Sequence, residues 1–202
     1  MARILISGAS GLIGSALVAF LRSQAHELVC LVRREPGSPD EVRWDPMREV
    51  SPQVVSGFDA IIHLSGETVA GFWSATKKKR IRDSRVITTR NLVQAMTRAG
   101  MPPSSFICAS AIGYYGSRGG EVFTEETSSG EGFLALVTRE WEEATRPAHE
   151  AGIQTANLRI GIVLSRQGGV LQQMLLPFRL GLGGRMGSGK QWWSWIHIAD
   201  LV

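Results

Sequence analysis

Two cysteines, two tyrosines and four lysines in 202 residues are the scarcities that first constrain this chain. Cys30 and Cys108 both fall in apolar, strand-like runs, which excludes a disulfide framework and points to a reducing, cytoplasmic setting. No apolar run approaches the ~18 residues that span a bilayer, and Arg3 breaks the start before a secretory h-region can form. No membrane partner is therefore expected. His26, His63, His149 and His197 share no metal-ligand spacing with one another or with the cysteines, so no metal site is expected either. His63, inside an apolar run, reads as a satisfied core residue. The Gly-x-Ser-x-Gly elbow of serine hydrolases is also missing.

What is present favours a packed domain. Hydrophobic residues make up 44% and charged residues 20%, enough for a core and too apolar for wholesale disorder. The net charge of +4 comes from 18 Arg against 4 Lys. Three of those lysines stand together in Lys77-Lys-Lys-Arg80, which reads as a solvated helix face. The interleaved aromatics or recognisable module of a nucleic-acid binder are lacking, so no nucleic-acid partner is expected. A phosphate-rich small ligand accounts for the arginine bias equally well.

Apolar runs at Ala2–Ser7, Glu27–Val32, Asp59–Leu64, Ser105–Ser110 and Thr155–Leu164 predict strands. Helical spacing covers Leu12–Ser23, about Ser74–Ala99 and Gly132–Glu150. Continuous apolar strands alternating with helices predict a doubly wound α/β domain with a parallel sheet covered on both faces.

Gly8, Gly11 and Gly14 form Gly-x-x-Gly-x-x-Gly between the first strand and the first helix. This is the context of a Rossmann-type dinucleotide site. Glycine permits the tight turn and close approach to a pyrophosphate, and the helix start offers N–H donors and a positive dipole end. Gly8, Ser10, Gly11, Leu12, Ile13 and Gly14 are the candidate cofactor contacts on this turn. An NAD site places Asp or Glu at the end of the second strand; here Val32 is followed by Arg33 and Arg34. A guanidinium forks onto a 2′-phosphate that a carboxylate would repel. NADP(H) is the expected cofactor, with Arg33 as the contact and Arg34 either stacked on adenine or exposed.

Gly8–Gly14, Asp59-Ala-Ile-Ile-His-Leu-Ser-Gly66, Ala109-Ser-Ala-Ile-Gly-Tyr-Tyr-Gly116, Leu158-Arg-Ile-Gly-Ile-Val163 and Trp195-Ile-His-Ile-Ala-Asp200 resemble the extended short-chain dehydrogenase/reductases. More closely, with Trp73, Leu176–Gly184 and Gly187–His197, the chain is similar to an atypical subgroup of NAD(P)-dependent epimerase-family proteins. The resemblance implies that Val32 and Arg33 hold the adenosine 2′-phosphate end. It implies that Leu64 and Ser65, closed by Gly66, line the cofactor, and that Arg85 and Val163 reach it from the far side. Members of the subgroup continue past the Trp-Ile-His segment with helices that complete the substrate side. The expectation is therefore one NADP(H)-binding domain over residues 1–202, lacking that part.

The chemistry of the superfamily rests on Tyr-x-x-x-Lys, in which a phenol is drawn toward neutrality by a nearby ammonium. That pair occurs nowhere in this chain. Tyr114 and Tyr115 are the only phenols, and Ser110 is the nearest serine, one position before the superfamily's second serine, which Ala111 replaces. Ser110, Tyr114 and Tyr115 are the candidate catalytic residues, set against the alternative that the tyrosines shape core and loop. Two functions stay open: an NADP(H)-dependent oxidoreductase or epimerase on a small molecule, or a catalytically degenerate NADP(H)-binding regulator or sensor. Gly184–Lys190 imitates a P-loop but ends on Gln191, without the metal-binding hydroxyl. His197 and Asp200 read as a pair fixing the Trp195 segment or as catalytic groups. Trp192, Trp193 and Trp195 read as a substrate wall, as packing for a further segment, or as a subunit interface, a homodimer being one possibility.

Overall fold

The computed structural model describes residues 1–185 and 187–202. Met186, inside the P-loop-like Gly184–Lys190 stretch, lies outside the described residues. A six-stranded sheet is built from β1 (Arg3–Ser7), β2 (Glu27–Val32), β3 (Glu41–Arg43), β4 (Ala60–His63), β5 (Ser105–Ala111) and β6 (Gln154–Ile160). Every pairing is parallel and the order is β3-β2-β1-β4-β5-β6. Helices α1 (Leu12–Ser23), α2 (Pro52–Val55), α3 (Ala75–Thr97), α4 (Phe133–Glu143) and α5 (Arg146–Glu150) connect them. This is the doubly wound Rossmann-type α/β fold.

Alternation along the strands divides the core in two. Ile4, Ile6, Leu28 and Ile62 pack with Leu17, Val18 and Leu21 of α1. Leu5, Leu31, Ile61, Phe106 and Cys108 face the other way, onto Leu92, Val93 and Met96 of α3 and Trp141 of α4. Because both faces are covered, the strands carry no polar alternation, which is why they read as unbroken apolar runs.

Two predicted elements are divided. The expected Gly132–Glu150 helix breaks after Glu143 and resumes at Arg146, next to Pro147, whose ring in a continuous helix would clash with the carbonyl four residues back, that of Glu143, and which has no N–H to give it. The expected Thr155–Leu164 strand breaks at Gly161. There β7 (Ile162–Leu164) leaves the main sheet to pair with β8 (Trp195–His197). The Ile162 N–H donates to Ser194 O at 2.8 Å, and a Cβ on Gly161 would meet that same oxygen at 2.8 Å. Helices α6 (Gly169–Arg179) and α7 (Ile198–Leu201) complete the described chain. Among the described residues no helix is long and apolar enough to cross a membrane.

Candidate functional site

The loops after β1, β2 and β4 open at the carboxyl edge of the sheet, where the connections from neighbouring strands diverge to opposite faces. Ligands bind at such a switch point in open α/β sheets. A cleft of about 1150 Å³ lies there, bordered by the Gly8–Gly11 turn, Val32–Arg34, Leu64–Thr68 and one face of α3.

The turn is shaped by close backbone approach. Gly8 has φ +76°, and a Cβ on it would meet the Leu64 carbonyl carbon at 2.7 Å. A Cβ on Gly14 would overlap the Gly8 carbonyl oxygen, so α1 can cross the turn only with glycine there. Gly11 begins the helix without a side chain to cap it, and its N–H donates to Gly8 O at 3.0 Å. The first-turn N–H groups of Leu12, Ile13 and Gly14 therefore face no capping oxygen from Gly11. Glycine at each of these points leaves a backbone cradle of the kind that accepts a pyrophosphate, so these residues fit a dinucleotide. Leu12 itself packs its methyl groups against Gly168 and Gly169.

Behind the turn is a buried polar triad. Ser7 Oγ and His63 Nδ1 are 2.6 Å apart, and Thr88 Oγ1 lies 3.5 Å from His63 Nε2. Burial lowers the His63 pKa to about 4, so the imidazole is neutral and serves as a hydrogen-bonding spacer between β1, β4 and α3. Its neighbour Trp44, edge-on at 6.3 Å, reaches the cleft wall.

The two arginines after β2 part company. Arg34 forks onto Glu41, with Nη2 to Oε1 at 2.5 Å and Nη1 to Oε2 at 2.8 Å, and its side chain is exposed. Arg33 lines the cleft with no hydrogen bond or ion pair among the described residues. Of the expected contacts, Gly8, Ser10, Gly11, Val32, Arg33, Arg34, Leu64, Ser65 and Gly66 line the cleft. Arg85 stands behind that wall. Its Nη1 donates to Glu67 O and Ile81 O, both at 3.0 Å, its guanidinium covers Trp141 at 5.2 Å, and it backs Gly66 at 3.3 Å from a Cβ there. Val163 belongs to the small β7-β8 sheet, opposite Ile196.

Lys77–Arg80 is a solvated face except at Lys77: Lys78, Lys79 and Arg80 are exposed, and Lys78 lies over the Phe133 ring at 5.5 Å. Lys77 is largely buried and donates to Glu67 Oε1 at 2.6 Å, holding that carboxyl below the usual range. Lys79, bonded to Asp83, and Arg80 line the cleft together with Thr76, Ser84 and Thr88. Sequence reasoning missed this face, although the spacing 76, 79–80, 83–84, 88 is that of one helix stripe.

Ser110, Tyr114 and Tyr115 do come together, around Arg159 rather than at the cleft wall. Arg159 Nε and Nη2 fork onto the two Glu142 carboxylate oxygens at 2.9 Å each. Ser110 Oγ donates to the same carboxylate at 2.6 Å, Arg159 Nη1 donates to Tyr115 Oη at 2.9 Å, and the guanidinium lies 3.5 Å over the Tyr114 ring. A second, smaller pocket of about 520 Å³ borders this cluster. His197 Nδ1 accepts from the Ala199 N–H at 3.3 Å, capping α7. Trp192 and Trp195 are exposed.

A doubly wound sheet with a glycine turn and a basic cleft at its switch point defines a nucleotide-binding α/β protein of the short-chain dehydrogenase/reductase kind. The family model of the NAD dependent epimerase/dehydratase family matches residues 4–202, and the chain belongs to that family. It is 43% identical over 201 residues to an epimerase family protein of Mycobacterium bovis, covering 98% of this chain and 66% of that protein. It is 38% identical over 204 residues to the human epimerase family protein SDR39U1, covering 99% of this chain and 68% of the relative. The crystal structure of human SDR39U1 isoform 2 with NADPH superimposes with a TM-score of 0.87 at 35% identity, covering 98% of this chain and 67% of that one. A nucleoside-diphosphate sugar epimerase from Corynebacterium glutamicum gives a TM-score of 0.87 at 41% identity, covering 99% of this chain and 42% of that one. The chain thus spans just under two thirds of the length of its mycobacterial relative.

Proposed function

We propose that this protein binds NADP(H) in the cleft at the β1–β4 switch point and uses it on a small-molecule substrate, as an oxidoreductase or epimerase. The observation that carries the reading is Arg33: a guanidinium on the cleft wall after β2, without an ion pair among the described residues, where an NAD site has a carboxylate. Gly8, Gly11 and the start of α1 would take the pyrophosphate; Val32 and Leu64–Gly66 would flank the adenosine half. The human relative crystallised with NADPH lends support to the phosphorylated cofactor. The cofactor supplies hydride chemistry when bound, and this chain's residues bind and orient it. Calorimetric titration tests the proposal. Arg33→Ala should weaken NADPH about tenfold and leave NADH nearly unchanged, the worth of about one charge-assisted contact. Equal loss for both would mean that Arg33 does not read the 2′-phosphate.

A second reading, cofactor binding without turnover, is favoured by one observation: the Ser110 hydroxyl is committed to Glu142, and Tyr115 accepts from Arg159. NADPH consumption over a panel of carbonyl compounds and nucleotide sugars separates the two. Turnover that disappears in Tyr114→Phe or Tyr115→Phe, with cofactor affinity retained, supports chemistry; no consumption on any member supports the sensor.

A further inference from the structure

We infer that Arg80 is a second 2′-phosphate contact, closing on the phosphate from α3 while Arg33 holds it from the end of β2. The inference rests on the NADP(H) reading above and deepens it. A phosphate monoester carries about −1.5 to −2 charges at neutral pH, so one guanidinium leaves about half to one negative charge uncompensated. The cleft supplies a second cation from a different element. On the α3 stripe that faces it, Lys79 is bonded to Asp83 one turn on, and Arg80 beside it has no hydrogen bond or ion pair among the described residues. Across the cleft Arg34 is likewise spent on Glu41, which leaves Arg33. Each wall therefore pairs one neutralised cation with one that is uncommitted. The two uncommitted arginines line the same cleft, and both help to lower the Glu67 carboxyl on its wall, after the dominant Lys77 bond. Arginine rather than lysine suits the role, because two planar forks can share the three oxygens of one phosphate.

The test measures affinity, with adenosine 2′,5′-bisphosphate and AMP as probes of the adenosine end alone, beside NADPH and NADH. Arg80→Ala, an exposed position, should weaken NADPH and the bisphosphate about tenfold and leave NADH and AMP within about twofold. Arg33→Ala/Arg80→Ala should erase the preference for the phosphorylated forms. Parallel loss for all four ligands would place Arg80 on adenine or the pyrophosphate and overturn the inference, as would no loss for any. If the wild-type protein does not prefer NADPH to NADH, the NADP(H) reading itself fails. If it does prefer NADPH, and Arg80→Ala keeps the preference intact, only the Arg80 assignment falls.

Discussion

Arg159 and Glu142 face each other through two 2.9 Å bonds, joining β6 to α4, with both side chains less than one fifth exposed. Around that pair the Ser110 hydroxyl, the Tyr115 hydroxyl and the Tyr114 ring are all satisfied. A charge this enclosed is costly when its partner is removed. Glu142→Gln should therefore lower the unfolding free energy by roughly 2–3 kcal/mol, below the full buried-pair figure because some water reaches the site. Tyr115→Phe, losing one acceptor, should cost about 1 kcal/mol. Urea unfolding measures both. A Glu142→Gln protein as stable as wild type would remove the structural role assigned to this cluster.

His63 makes the protein sensitive to acid. Its folded pKa is about 4, below the ordinary 6.5, because burial penalises the imidazolium. A depressed folded pKa means that the unfolded chain binds the proton first. The stabilisation is thus complete above pH 6.5 and is lost progressively as pH falls toward 4. Two and a half pH units correspond to about 3 kcal/mol. Unfolding curves across this window should show wild type losing that much more stability than His63→Gln. Matching slopes would place the acid sensitivity elsewhere.

Elements with local causes were legible in the sequence. The limits predicted for α1 and β2 are the ones observed, because a glycine turn precedes the helix and a continuous apolar run defines the strand. β3, three residues beginning with Glu41, has too few apolar positions to register. The cleft-facing stripe of α3 was hidden for a different reason. A helix lining a polar site carries polar residues on that side, so Lys77–Arg80 reads the same whether it meets water or a ligand. The Arg159 cluster depends on sheet register: Ser110 and Arg159 are neighbours only because β5 and β6 pair at that position.

The cysteines should be inert in the native protein. Burial pushes the Cys108 thiol up to about 12 and raises that of Cys30 as well, so neither offers appreciable thiolate at neutral pH. Both are buried. A thiol-specific chromogenic reagent at pH 7.5 should label the folded chain slowly and label both cysteines at once in denaturant. Rapid stoichiometric labelling without denaturant would contradict this packing.

Gly14 and Gly11 give a graded test of the turn. A methyl group on Gly14 would occupy the space of the Gly8 carbonyl oxygen, a backbone atom that moves only if the turn and α1 separate. On Gly11 the same methyl group meets that oxygen at 3.3 Å, a crowding that a shift of a few tenths of an ångström relieves. Gly14→Ala should therefore cost about 2 kcal/mol or more in stability and weaken NADPH beyond tenfold, since the N–H groups of the first helical turn are displaced from the cradle. Gly11→Ala should fold near wild-type stability and lose at most a few-fold in affinity. Thermal unfolding and NADPH titration of the two variants, run side by side, decide the matter. Equal effects would show that close passage of α1 over Gly8 is not what shapes the binding turn.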